Sequence, residues 1–176
     1  MLPRLFGVML LILVIGFSSV PALAQTDFLS FSVNTTADAV DMNVGDGICA
    51  ANTGAGVKCT LRAAIQEANA LSGSTFISVN NAGGVMQLSI AGGGENAALT
   101  GYLDVTSFVT IVGPGTINGG GIDRIFHIHN GGTLDLLSIT LTGGQTPATE
   151  NGGAILVEGN GSSLRVVSAQ ISNNTA

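Results

Sequence analysis

One internal repeat constrains this chain more than any other feature. Moved along by thirty residues, Leu134-Asp135-Leu136-Leu137-Ser138-Ile139-Thr140-Leu141-Thr142 falls on Leu164-Arg165-Val166-Val167-Ser168-Ala169-Gln170-Ile171-Ser172. Asn130-Gly131 falls on Asn160-Gly161 and Ile125 on Ile155, with no gap over about twenty positions. Upstream, Val109–Gly113 matches Ile139–Gly143 less closely. A period of this size marks stacked supersecondary units, none of which can bury its apolar face alone. Parity inside the copy adds a second constraint. Leu134 and Leu136 share one face, while Ile139 and Leu141 share a face of opposite parity, so a straight strand cannot send both pairs inward. A bend near Ser138 does so, and the second copy repeats the pattern with Leu164, Val166, Ala169 and Ile171. The expected architecture is all-β: a parallel β-helix, with short strands joined by bends and each coil stacked on the last. A β-sandwich of hairpins explains neither the ungapped repeat nor the scarcity of two-residue hairpin turns.

Composition agrees. Of 176 residues only 9% are charged and 26 are glycine, with few good helix formers, which argues against a helical bundle. Abundant Val, Ile and Leu with little charge argue against disorder. From Ser74 onward, short β-rich runs are separated by glycine: Phe76–Val79, Val85–Ile90, Tyr102–Val112, Ile125–His129, Thr133–Thr142, Ala154–Glu158 and Leu164–Ser172. Before them, Phe31–Thr36 alternates like one strand. A single helix is expected over 60–71. Thr60 is its N-cap, and Leu61, Ala64, Ile65 and Ala68 form one apolar stripe, with Arg62, Gln66 and Glu67 off it. An unpaired coil end needs a cover, and this helix, stripe inward, is expected to cap the first coil.

The N-terminus reads as an address. Arg4, the apolar Leu5–Phe17 and the small-x-small site Ala22-Leu23-Ala24 make 1–24 a cleaved secretory signal, leaving Gln25 as first mature residue. No later segment is apolar enough to span a membrane. The mature chain then holds four of the five Lys and Arg against 11 Asp and Glu, 4 − 11 = −7, too few cations to neutralise a run of phosphates, so nucleic acid is excluded as a partner. Export gives Cys49 and Cys59, the only two cysteines, an oxidising compartment in which to pair. At the other end no segment after Leu164–Ser172 covers the last strand, so the chain is expected to continue past Ala176, molecules to meet end to end, or the last coil to fray.

Val33-Asn34-Thr35-Thr36-Ala37-Asp38, Gly45-Asp46-Gly47-Ile48-Cys49 and Cys59-Thr60-Leu61-Arg62-Ala63-Ala64-Ile65-Gln66-Glu67-Ala68-Asn69-Ala70 together resemble the CSLREA domain, from about Phe31 to Ala70. Thr60 and Ala63 stand where the name-giving hexapeptide has Ser and Glu. That family is an N-terminal module of exported bacterial proteins, typically ahead of right-handed β-helix repeats, and it carries no established catalytic residues. Gly152-Gly153-Ala154-Ile155 and Ile171-Ser172-Asn173-Asn174 are similar to the paired motifs of polymorphic outer-membrane protein repeats, with Ile171 in place of Phe. The resemblance implies a right-handed parallel β-helix of the pectin-lyase-like kind, with an N-terminal module over 25–73 and coils over 74–176, displayed at a cell surface or outer membrane.

Candidate chemistry is sparse. Asp38, Asp41, Asn43 and Asp46 offer oxygen ligands of the kind calcium takes, but Asn52 stands where an EF-hand needs Glu, and Asp with Gly is ordinary turn chemistry. Turn chemistry is the preferred reading. His127 and His129, two apart on a strand, share a face and with Asp123 make a potential metal or acid–base site, although structural histidines are the commoner outcome. Arg124 and Arg165 lie near Asp123 and Asp135, without the dense acidic cluster of a polysaccharide lyase. No glycine-rich stretch is a phosphate loop. The expected function is non-enzymatic: an exported protein of surface or adhesin type, binding an extracellular glycan or protein surface. The alternative is a polysaccharide lyase or hydrolase on the same fold.

Overall fold

The computed structural model describes residues 28–71, 73–80 and 82–176; the secretory signal expected over 1–24 lies outside the described residues. Five strands run in parallel through the largest sheet: β1 (Phe28–Ser32), β4 (Ser74–Ser78), β7 (Phe108–Asn118), β9 (Thr133–Thr142) and β11 (Ser163–Val167), in that order. Two short strands, β5 (Val85–Gln87) on β7 and β12 (Gln170–Ile171) on β9, bring it to seven. A second sheet of three parallel strands is ordered β10 (Ile155–Val157), β8 (Phe126–Ile128), β6 (Leu103–Val105). A two-residue antiparallel pair, β2 (Ala51–Asn52) with β3 (Val57–Lys58), precedes the helix α1 (Leu61–Ala70).

The expectation of an all-β right-handed parallel β-helix is corrected by this arrangement. Strands are divided among three sheets, one of them antiparallel, and a helix is walled into the same core, so the chain is α/β-like and mostly parallel, with no solenoid. The parity break at Ser138 predicts a bend between separate strands. Ser138 does take the left-handed conformation, φ +58°, but inside one continuous strand. Opposite it, β7 slips register between Val112 and Gly115. That irregularity turns Leu134, Leu136, Ile139 and Leu141 all into the core without leaving the sheet. Ser168 takes the same left-handed conformation, φ +50°, between β11 and β12, where Val166 and Ile171 stay exposed.

The thirty-residue repeat is the pairing register of β9 with β11, Leu134 beside Leu164 and Leu136 beside Val166. The looser upstream match is not a register: Val109 pairs with Leu134 and Ile117 with Leu141. Like residues therefore stack from strand to strand. Phe31, Ile77, Ile111 and Leu136 form one buried row, and Met86, Ile117 and Leu141 another. Each such side chain contributes roughly 1.5–3 kcal/mol by burial. Leu103, Val105, Phe126 and Ile128 of the second sheet join the same core, as do Leu61, Ala64, Ile65 and Ala68 of α1.

The helix begins as its sequence dictates. Thr60 Oγ1 accepts the Ala63 N–H at 3.1 Å, and its extended φ and ψ place it outside the first turn. The polar side is not free, however. Arg62, Gln66 and Glu67 are as buried as the apolar stripe, because the 38–47 loop and the 98–102 segment close over them.

Candidate functional site

The acidic loop serves the helix. Arg62 grips Asp38 with two bonds, Nε to Oδ1 at 2.6 Å and Nη2 to Oδ2 at 3.1 Å, and donates to the carbonyls of Ala98, Gly101 and Tyr102. Asp41 Oδ1 accepts the Asn43 N–H and Oδ2 the Ala50 N–H, both at 2.8 Å. Asp46 accepts from Ile48 N–H and from the Asn43 amide. Glu67 reaches out of α1 to take the N–H groups of Gly45 and Gly47 at 2.6 and 2.7 Å. Both glycines have positive φ, which aims the two amides on either side of Asp46 at one carboxylate. Asp38, Asp41 and Asp46 thus hold separate donors in the chain and do not converge on a common point. The Cys49–Cys59 disulfide is formed and ties the end of this loop to the start of the helix.

Convergence occurs elsewhere, on the outer face of the second sheet. Leu103 and Val105 point into the core, so Asp104 between them points out; Phe126 and Ile128 likewise leave His127 outward. Register sets Asp104 directly beside His127, and His129 follows on the same side. Asp104 Oδ1 lies 3.1 Å from His129 Nε2 and 3.4 Å from His127 Nδ1. The two imidazoles stack at 4.4 Å with 29° between their planes. The three residues are 0%, 7% and 5% exposed, and one ligand atom from each lies within 4.8 Å of the others. Among the described residues, this is the cluster able to hold a metal ion.

Its surroundings are specific. Asp104 Oδ2 accepts the Ala98 N–H at 2.9 Å from a roof loop that Glu95 organises, its carboxylate taking the N–H groups of Ala97, Leu99 and Thr100. Gly101 folds that loop at φ +55°, where a Cβ would stand 2.2 Å from the Gly92 carbonyl oxygen. Tyr102 sets its ring edge-on to His127 at 5.4 Å, and the Arg124 guanidinium lies over the Tyr102 ring. Glu158, at the rim, meets His127 Nε2 at 2.7 Å. Burial, with the nearby Glu95 charge, raises the Asp104 carboxyl above the usual aspartate value against the pull of the Ala98 N–H and His129. Burial and the Asp104 charge raise the Tyr102 phenol.

The expected pairing of the histidines with Asp123 is replaced. Asp123 receives the backbone and side chain of its neighbour Arg124, which also reaches Glu150. The thirty-residue offset carries His127 onto Val157, whereas the ladder sets Leu156 beside it. Arg165 and Asp135 do meet, across adjacent strands. Asp104 and Glu158 carry little signal in the sequence; that for Asp104 is an acid alone between Leu103 and Val105.

No helix among the described residues is long and apolar enough to cross a membrane. No protein-family model, no curated protein and no solved structure matches this chain.

Proposed function

We propose that the chain is an exported, non-enzymatic binding protein that applies a flat strand surface to a protein outside the cell. The observation that carries this reading is the outward row of the large sheet. Thr110, Thr116, Thr140 and Thr142 alternate with the core residues Val109, Ile111, Ile117, Ile139 and Leu141, and each is half-buried. Thr116, Thr140 and Gln170 stand side by side in register. The Thr116, Thr140 and Gln170 row carries no charge and is rich in hydroxyl and amide groups, while Thr110 borders the Asp135–Arg165 ion pair. The chain has no Trp, its single Tyr is buried under Arg124, and the exposed aromatic rings of the large sheet, Phe28 and Phe108, carry no polar handle for a sugar, which favours protein over glycan.

Export draws support from the disulfide and from the reading of 1–24 as a secretory signal. The CSLREA-like blocks around the disulfide agree with a surface-displayed bacterial protein. Catalysis is disfavoured because the cluster of ionisable groups best placed for it is covered by the roof loop and closed to a polymer substrate. The test uses fluorescently labelled chain on bacterial and host cells before and after trypsin shaving. Binding that disappears on shaving, and that Thr116→Lys/Thr140→Lys abolishes at unchanged melting temperature, is the expected result. Binding that survives shaving, or release of unsaturated products from pectin or alginate, overturns the reading.

A further inference from the structure

We propose that Asp104, His127 and His129 form a buried site for a zinc-class divalent transition metal, with Asp104 Oδ1, His127 Nδ1 and His129 Nε2 as ligands. The first observation is spacing. Zn–N bonds of about 2.0–2.1 Å and Zn–O bonds of similar length in a tetrahedron place neighbouring ligand atoms roughly 3.3 Å apart. The two edges that meet at Asp104 Oδ1 measure 3.4 and 3.1 Å.

The second observation is independent and concerns a proton. His127 Nδ1 is buried and makes no hydrogen bond. Its other nitrogen, Nε2, sits 2.7 Å from the Glu158 carboxylate, which only accepts, so Nε2 carries the hydrogen. In the neutral ring Nδ1 then presents a lone pair to the lone pairs of Asp104 Oδ1. Two acceptors facing each other in a buried site repel unless a proton or a metal cation lies between them, and the triad of ligand atoms converging there suits the cation. A carboxylate on the far nitrogen of a ligating imidazole is the usual outer partner of a metal-bound histidine, fixing its tautomer and raising its basicity. The stack with His129 and the edge of Tyr102 hold the ring in that orientation.

The donor set selects the metal class. Two imidazoles and one carboxylate oxygen suit zinc, copper or nickel, whereas calcium takes six to eight oxygens. The second Asp104 oxygen is already committed to the Ala98 N–H, so three protein ligands leave a coordination position for a small molecule such as water. Near-complete burial gives the ion a structural part, joining strand β6 to β8 and the roof loop to both.

The chain has two histidines, both in this site, and both cysteines are in the disulfide. Made without an affinity tag and stripped with chelator, the full chain is titrated with Zn2+ alone by calorimetry, and with Cu2+ for pulsed electron paramagnetic resonance of coordinated imidazole nitrogen. One equivalent is expected to bind with a Kd below about 10 μM, and Zn2+ at a hundredfold excess over Kd to raise the melting temperature by about 5–10 °C. His129→Asn is expected to weaken binding at least a hundredfold. Should that variant not fold, Glu158→Gln at the exposed rim decides, with roughly 10–100-fold weaker binding at an unchanged metal-free melting temperature. A folded chain with no heat, no nitrogen coupling and no thermal shift overturns the site, as does affinity indifferent to Glu158→Gln, or Ca2+ binding there as tightly as Zn2+.

Discussion

Replacing Arg62 with methionine removes one guanidinium and tests what holds the acidic loop against the helix. The Arg62 and Asp38 side chains are 0% and 2% exposed, so the pair has lost nearly all its water. As a whole such a pair is worth little, because desolvating two ions offsets most of their attraction. Breaking it from one side is different. Arg62→Met keeps the stem, leaves Asp38 as a buried anion without its counter-ion, and strips donors from the carbonyls of Ala98, Gly101 and Tyr102. The general cost of that operation is about 3–5 kcal/mol. Asp38 Oδ2 retains the N–H groups of Ser89 and Ile90, at 2.7 and 3.1 Å, which places the expectation at the low end, about 3 kcal/mol. For a chain of this size that is a fall of about 6–12 °C in melting temperature, read by far-ultraviolet circular dichroism. Adding Asp38→Asn should restore part of the loss, with a coupling of about 1 kcal/mol or more, since the orphaned charge is then gone. Arg62→Lys should rescue poorly, because an ammonium cannot reproduce the planar fork. A fall under about 3 °C for Arg62→Met would falsify the claim that this pair clamps the loop.

Other expectations follow from burial, close approach and titration. Leu136→Ala should destabilise by about 2–5 kcal/mol, whereas Val166→Ala, its partner in the repeat at 41% exposure, should change stability by under about 1 kcal/mol in the same denaturant titration. Equal losses would show that the repeat copies are equally packed. Gly132→Ala puts a Cβ 2.1 Å from the Val105 carbonyl oxygen, so the backbone between β6 and β9 must shift, and a loss of about 3 kcal/mol is expected from thermal melts; a neutral outcome refutes the close approach. Tyr102 is the only tyrosine, so phenolate absorbance reports it alone. Its raised pKa means the native chain holds that proton above pH 10.0 after the unfolded chain has lost it. Stability contributed this way is intact below pH 10.0 and falls as pH rises through the native value. A native titration coinciding with that in denaturant contradicts the burial of the phenol.

Local and translational features were legible in the sequence. The Thr60 cap and the Leu61/Ile65 stripe lie within one or two helical turns, and the structure keeps both. The offset of Leu134 to Leu164 became a strand register because identical neighbours in a parallel ladder stack like on like. Two cysteines left one intramolecular pairing to expect, and the structure forms it. Other features are properties of the assembled chain. Whether the break at Ser138 turns a corner or kinks one strand depends on what β7 offers opposite, and Val112 and Gly115 absorb it as a register shift. The polar side of α1 reads as solvent-facing in any helical projection; it is buried because residues twenty or more positions away return to supply Asp38, Asp41 and the amides of Gly45 and Gly47. The Asp104–His127 contact rests on β6 pairing with β8 at an offset of 127 − 104 = 23 residues, a spacing that the thirty-residue repeat does not contain. Periodicity along a chain states which face a residue occupies, but only the closing of the sheets decides which faces meet, and it was that meeting which set two imidazoles around one buried carboxylate.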